Sequence, residues 1–290
     1  MLAGASGERL AARGGFGRGG CLESTVLEQI LVARRRRLDA ARLRVPLGEL
    51  QRGAEAWSDR RDFTAALRRP GLRVIAELKR ASPSRGVLRP DFRPAEIARG
   101  CEAAGAAALS VLTEEDFFSG SLEDLRQARA AVALPVLRKD FVIEDYQVYE
   151  AAAAGADAVL LIVAALGASE LPRLIELSRS LRLAALVEVH TAEELQRALD
   201  AGARIVGVNN RNLKTLEVDL ETSFRLRDKI PATCLAVSES GIKSPADLRR
   251  LGEAGFDAVL IGERFMTEPD PARALAELLS LASGAPRARA

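Results

Sequence analysis

The chain has 290 residues, 48% of them hydrophobic and 28% charged, with a formal net charge of +2. That composition belongs to an ordinary globular protein, long enough for one barrel-type domain or two smaller ones. So even a charge balance argues against a nucleic-acid or anionic-membrane partner, and no run of about 18 apolar residues exists to span a bilayer.

The three cysteines, Cys21, Cys101 and Cys234, are far apart and lack metal-ligand spacing, which fits a reduced cytoplasm. His190 is the only histidine, so neither a histidine metal site nor a Ser-His-Asp triad is expected. Lysine is rare: only Lys79, Lys139, Lys214, Lys229 and Lys243 stand among 42 basic residues. A lysine kept in an arginine-rich chain suggests a need for a compact ammonium whose pKa moves with its surroundings.

Residues 1–20 are rich in Gly, Ala and Arg without apolar periodicity, and we read 1–22 as a disordered tail. It has no apolar h-region, so it does not read as a signal peptide. A helix begins at Ser24-Thr25-Val26-Leu27-Glu28, with an apolar stripe at Leu27, Ile30, Leu31, Leu38 and Leu43. The run Arg34–Arg37 reads as a solvated face of that helix, and Pro46 stops it. Asp62–Leu67 is a second short helical piece, ended by Pro70-Gly71. Residues 23–73 thus form a helical extension, expected to pack on a single catalytic domain over 74–284.

At Val74 the pattern becomes regular. Short apolar runs alternate with Ala/Leu/Glu/Arg-rich amphipathic segments. The predicted strands are Val74–Leu78, Ala107–Leu112, Pro135–Arg138, Ala158–Val163, Ala185–Val189, Ile205–Val208, Cys234–Val237 and Ala258–Ile261. Glycines 105, 155, 202 and 255 supply the left-handed turn from helix back to strand. Eight strands alternating with helices predict an α/β fold with a parallel sheet, closed as a (β/α)8 barrel. A doubly wound open sheet would want a G-x-G-x-x-G turn after an early strand, and no predicted strand is followed by one.

In such a barrel the chemistry sits at the C-terminal strand ends. Glu77 and Lys79 end the first strand and share a face, because strand side chains alternate. Lys139 follows the third strand, Glu188 ends the fifth and Asn209 follows the sixth. Opposed titratable groups over a packed core suit acid–base catalysis; the bland alternative is a ring of structural ion pairs. A lysine desolvated near another cation would lose pKa. The seventh and eighth strands end in Glu239-Ser240-Gly241 and Ile261-Gly262-Glu263, where free backbone N–H groups suit a phosphate.

These motifs, taken together, resemble the indole-3-glycerol phosphate synthases. The resemblance runs from about Leu27 to Leu279. It is carried by Ile75–Ser84, Ser110–Glu114 with Phe117–Ser121, Leu137–Phe141, Leu186–His190, Gly207–Arg211 and Ser238–Ile242. It implies a (β/α)8 carboxy-lyase of tryptophan biosynthesis. The reaction would close the indole ring of 1-(2-carboxyphenylamino)-1-deoxyribulose 5-phosphate, with loss of CO2 and water. In that likeness Lys139 is the general acid, Glu188 the general base, and Lys79 the partner of the substrate's anionic groups. Glu77 and Asn209 position the acid and the departing hydroxyl; which lysine protonates that hydroxyl stays open. Ser82 lies near the substrate carboxylate. Ser240, Gly241, Gly262 and Glu263 hold the phosphate through backbone N–H groups, although Glu263 stands where many relatives carry serine. Phe118 and Phe141 resemble the wall around the anthranilate ring, with core packing as the alternative, and Arg211 joins the substrate-binding set. His190 is expected to turn into the other layer as a structural residue. The resemblance implies no metal and no cofactor, and the expected assembly is a monomer or weak homodimer. Phosphoribosylanthranilate isomerase, another phosphate-binding barrel, would want a Cys/Asp pair at the strand ends, where Cys101 and Cys234 do not fall.

Overall fold

A computed structural model describes residues 25–213 and 215–282. The predicted tail, Cys21, Lys214 and the last residues of the chain lie outside the described residues.

Three helices precede the barrel: α1 Val26–Arg44, α2 Leu47–Ala56 and α3 Phe63–Arg68. A capping box starts α1: Thr25 Oγ1 accepts the Glu28 N–H at 3.3 Å, and Glu28 Oε2 accepts the Thr25 N–H at 2.7 Å. Pro46 follows α1 but also opens α2, a helix absent from the predicted elements.

The arginine run is not a solvated face throughout. Arg34 is buried and donates to Asp140 Oδ2 at 2.6 Å, while Arg37 pairs with Asp116 at 2.6 Å. These bonds tie α1 to the loops beyond the second and third strands. Leu43, placed on the apolar stripe, is 89% exposed instead.

The eight barrel strands are β1 Arg73–Leu78, β2 Ala108–Leu112, β3 Val136–Lys139, β4 Ala158–Ile162, β5 Ala184–Val189, β6 Ile205–Asn209, β7 Leu235–Glu239 and β8 Ala258–Ile261. Each is parallel to its neighbours, and β8 pairs with β1 to close the ring. They are the predicted strands, with ends moved by a residue or two. Helices α4 Pro94–Ala103, α5 Leu122–Ala131, α6 Asp145–Ala153, α7 Glu170–Ser180, α8 Ala192–Asp200, α9 Glu221–Arg227 and α10 Pro245–Glu253 connect the strands. The short α11 Glu263–Met266 and α12 Pro271–Ala282 follow β8. Gly105, Gly155, Gly202 and Gly255 have φ between +85° and +95°, the left-handed conformation predicted for them.

Strand alternation sorts the core into two parts. Val74, Ala76, Leu78, Val111, Leu161, Val187 and Val208 face outward and pack under the helices. Ile75, Leu137, Leu160, Leu186, Ile205, Val237 and Leu260 face inward and fill the barrel. Phe63 and Leu67 of α3 join this inner cluster beside Ala107, Ala158 and Ala258, near the N-terminal strand ends. The inward parity then runs on into the polar strand ends: Ile75 leads to Glu77, Leu137 to Lys139, Leu186 to Glu188 and Val237 to Glu239. An apolar plug therefore forms the floor beneath a set of charged groups.

Candidate active site

A cavity of about 590 Å³ opens at the C-terminal strand ends. Every predicted site residue except Ser82 lines it: Glu77, Lys79, Phe118, Lys139, Phe141, Glu188, Asn209, Arg211, Ser240, Gly241, Gly262 and Glu263. Ser82 is buried in a short ribbon formed by Ala81–Ser82 and Gly86–Val87, and its hydroxyl meets no protein partner.

Lys139 stands at the centre. Its Nζ donates to Glu188 Oε2 at 2.9 Å and to Glu239 Oε2 at 2.6 Å. Both carboxylates are buried, so this ammonium is their cation in a medium where charge is poorly screened. Burial alone would lower the Lys139 pKa, but Glu188, Glu239 and Glu77 outweigh it and raise the value. The expectation of a depressed lysine is therefore overturned: the close neighbours are carboxylates, not cations. At neutral pH the resting Lys139 carries its proton.

The two carboxylates respond in opposite directions. Burial pushes Glu188 up, yet Lys139 and His190 prevail and its pKa is lowered. Burial dominates at Glu239, Glu188 adds repulsion, and its carboxyl is pushed up to about 7 despite Lys139. Carboxylates sharing one ammonium titrate as a unit.

Glu239 joins the site although the sequence, which puts it at a strand end, assigns it no role. It stands just beyond the predicted strand Cys234–Val237, beside the small residues suited to a phosphate. Val237 faces inward, so Glu239, two residues on, faces inward too. Two glycines make room for the acids. A Cβ at Gly207 would lie 2.1 Å from Glu239 Oε1, and one at Gly262 would lie 2.7 Å from Glu77 Oε1. Gly262 thus does more than offer an N–H group: its bare Cα lets Glu77 lie flat, where it accepts from Lys79 Nζ at 2.6 Å.

Asn209 Oδ1 accepts the Arg211 N–H at 3.0 Å, and the Asn209 side chain is among the neighbours that lower the Glu188 pKa. Ser240 and Gly241 both take positive φ, +66° and +80°, in the turn after β7. Asn210 secures that turn by donating to the carbonyls of Glu239 and Ser240 at 2.9 and 3.0 Å. The Glu263 carboxylate is neutralised by Arg85 at 3.0 Å and Arg211 at 3.3 Å. Phe118 and Phe141 lie with ring centroids 6.2 Å apart at the apolar side of the cavity.

His190 does not turn away into another layer. It follows the last residue of β5, where strand alternation no longer governs, and its Nε2 lies 3.5 Å from Glu188 Oε1. Among the described residues no group of three or more His, Cys, Asp or Glu is placed to hold a metal ion. No described helix is long and apolar enough to cross a membrane.

The chain is similar to known proteins over most of its length. The family model "Indole-3-glycerol phosphate synthase" matches residues 27–278. An indole-3-glycerol phosphate synthase of a Polaromonas species is 51% identical over 264 residues, covering 89% of this chain and 99% of its own. The Albidiferax ferrireducens enzyme of that name is 51% identical over 263 residues, covering 89% and 99%. One from a Mycobacterium species is 50% identical over 257 residues, covering 89% and 94%. Among solved structures, thiamine phosphate pyrophosphorylase from Pyrococcus furiosus is similar with a TM-score of 0.55 at 20% identity, over 73% of this chain and 95% of that one. That likeness speaks for the barrel alone. A family match over nearly all of the described chain, with half of the residues shared with full-length relatives, means that the chain belongs to the indole-3-glycerol phosphate synthases, carboxy-lyases of tryptophan biosynthesis.

Proposed function

We propose that Lys139 is the general acid of the ring closure and Glu188 its general base. The substrate is 1-(2-carboxyphenylamino)-1-deoxyribulose 5-phosphate. Its electron-rich aryl carbon attacks the ketone carbon, and the ketone oxygen gathers negative charge as the new bond forms. A proton from Lys139 meets that charge. The ring carbon then carries both the new bond and the old carboxylate; loss of CO2 returns the electron pair and restores aromaticity. Departure of the hydroxyl as water, with removal of a proton, completes the indole. Glu188 takes that proton, and Glu77 and Asn209 orient the acid and the leaving hydroxyl.

The observation that carries this reading is the contact of Lys139 with Glu188 at 2.9 Å and Glu239 at 2.6 Å on the cavity floor. An ammonium kept protonated by buried carboxylates is a loaded donor, and a neighbouring carboxylate kept ionised is a ready acceptor. Lys79, held by Glu77 in the resting site, supplies a cation for the substrate carboxylate, with Ser82 close by in sequence. The anthranilate ring sits against Phe118 and Phe141. Backbone N–H groups of Ser240, Gly241, Gly262 and Glu263 receive the phosphate, with Arg211 as the nearby cation. Unpaired, buried Cys101 and Cys234 support a cytoplasmic home, and we take the working unit to be a monomer or weak homodimer.

A turnover assay tests the activity. Mixing the chain with the carboxyphenylamino sugar phosphate should raise indole fluorescence and release one CO2 per indole. CO2 without indole, or no turnover by folded protein, would sink the reading.

A further inference from the structure

His190 is the only histidine of the chain, and it stands outside the cavity lining. The charges that act on it most strongly are acidic. Glu194, in the first turn of α8, places Oε2 3.1 Å from the ring Nδ1 and also accepts the His190 backbone N–H at 2.7 Å. Glu188 of β5 places Oε1 3.5 Å from Nε2, and Glu239 of β7 adds its charge. Lys139 of β3 lies on the far side of Glu188, at its other oxygen. The ring is partly buried, with 11% side-chain exposure, and its Nε2 meets no hydrogen-bond partner in the resting site.

A neutral imidazole does not satisfy this arrangement. It has one N–H, so whichever nitrogen donates, the other turns a lone pair toward a carboxylate. Only the imidazolium presents a donor to both acids. In that state each oxygen of Glu188 faces a cation: Oε2 faces Lys139 and Oε1 faces His190. Glu194 fixes the ring through its side chain and through the backbone, so the clamp is anchored in α8 rather than in the cavity.

We propose that His190 is a positioning residue for Glu188: an imidazolium held between Glu194 and Glu188 that fixes the Glu188 carboxylate and keeps it ionised for proton transfer. The proposal rests on the reading of Glu188 as the general base. Because His190 does not line the cavity, its loss acts on proton transfer and leaves substrate binding in place. The direction of its titration agrees: burial opposes the charge, but Glu194, Glu188 and Glu239 prevail and raise the pKa.

A single histidine makes the test unusually direct. In tag-free protein the imidazole C–H proton resonances belong to His190 alone, so proton NMR follows its titration without assignment. The midpoint should lie above the ordinary ~6.5 and fall in Glu188→Gln and in Glu194→Gln. In kinetics, His190→Gln should lower kcat about tenfold or more at neutral pH with KM within about twofold, since a unit charge at this distance in a poorly screened site carries a factor of that size. The acid limb of its kcat profile should move to higher pH, because Glu188 has lost a cation. A purely structural histidine would lower the melting temperature but leave the acid limb and the Glu188 dependence of the midpoint unmoved, and that result overturns the proposal. So does a midpoint at or below ~6.5. If Glu188→Gln itself retains kcat, the general-base reading fails instead; the NMR coupling between the two residues is measured apart from it.

Discussion

Replacing Gly262 by alanine should damage the site through a residue that the alanine does not resemble. The new Cβ would stand 2.7 Å from Glu77 Oε1, 2.8 Å from its Cβ and 3.0 Å from its Cγ. All three contacts are with one side chain, so Glu77 is the group that must move. It has little freedom: its side chain is 7% exposed and bonded to Lys79. Overpacking of this kind costs ~1–3 kcal/mol, which lowers the melting temperature by ~2–4 °C per kcal/mol for a chain of this size. Activity should suffer more, because a displacement of ~1 Å in a positioning group costs up to ~10²-fold. Thermal unfolding followed by circular dichroism reads the first effect, and the rise of indole fluorescence reads the second. The double variant Gly262→Ala/Glu77→Asp withdraws the carboxylate oxygen but keeps the Cβ and Cγ that the alanine crowds, so it should recover only part of the melting temperature and none of kcat. If Gly262→Ala alone keeps the wild-type melting temperature and kcat/KM, Gly262 is not the space that Glu77 needs.

Gly241→Asp adds a carboxylate beside the N–H groups assigned to the phosphate, at a backbone φ of +80° and 2.6 Å from Val218 Cγ1; KM should rise at least tenfold, and an unchanged KM places the phosphate elsewhere. Lys79→Arg should retain more activity than Lys139→Arg, because an ion-pairing cation tolerates a guanidinium while a point proton donor does not; steady-state kinetics showing the reverse ranking would exchange their roles. Glu239, pushed up to about 7 chiefly by burial, favours its neutral form in the fold. Its contribution to stability is full below its ordinary pKa and is lost as pH rises through about 7. Glu239→Gln, which cannot ionise, should therefore gain melting temperature relative to the wild type between acidic and mildly alkaline pH. A gap independent of pH would contradict that.

The barrel was legible because its signal is local and repeated. Two-residue alternation inside each strand, with helix-ending glycines between strands, marks the layers and the inward parity of Glu77 and Glu188 without any knowledge of contacts. Lys139 and Asn209 were legible as strand-end residues for the same reason. What escaped depends on distance or on breaks in the pattern. Arg34 looks like any member of an arginine run; its partner Asp140 is 106 residues away, and only the fold brings them together. The helix α2 carries Gly48 and Gly53, and its leading Pro46 was read as a stop although proline also suits a helix start. Glu239 was hidden by ending β7 two residues early, and His190 by extending strand alternation one residue past the strand. The raised Lys139 pKa follows from Glu188, Glu239 and Glu77 together, a convergence of three strands that no single strand pattern displays.

The proton donor assignment is best tested by Lys139→Met, which keeps the apolar stem and removes the proton. The variant leaves Glu188 and Glu239 buried without their ammonium, so stability falls; uptake of a proton by Glu239 limits that loss. Substrate affinity should be measured by equilibrium binding and indole formation by fluorescence on the same folded sample. The account predicts that substrate still binds while kcat and kcat/KM fall together by ~10²–10⁴-fold or more. Folded Lys139→Met that forms indole at the wild-type rate would mean that the acid lies on another strand.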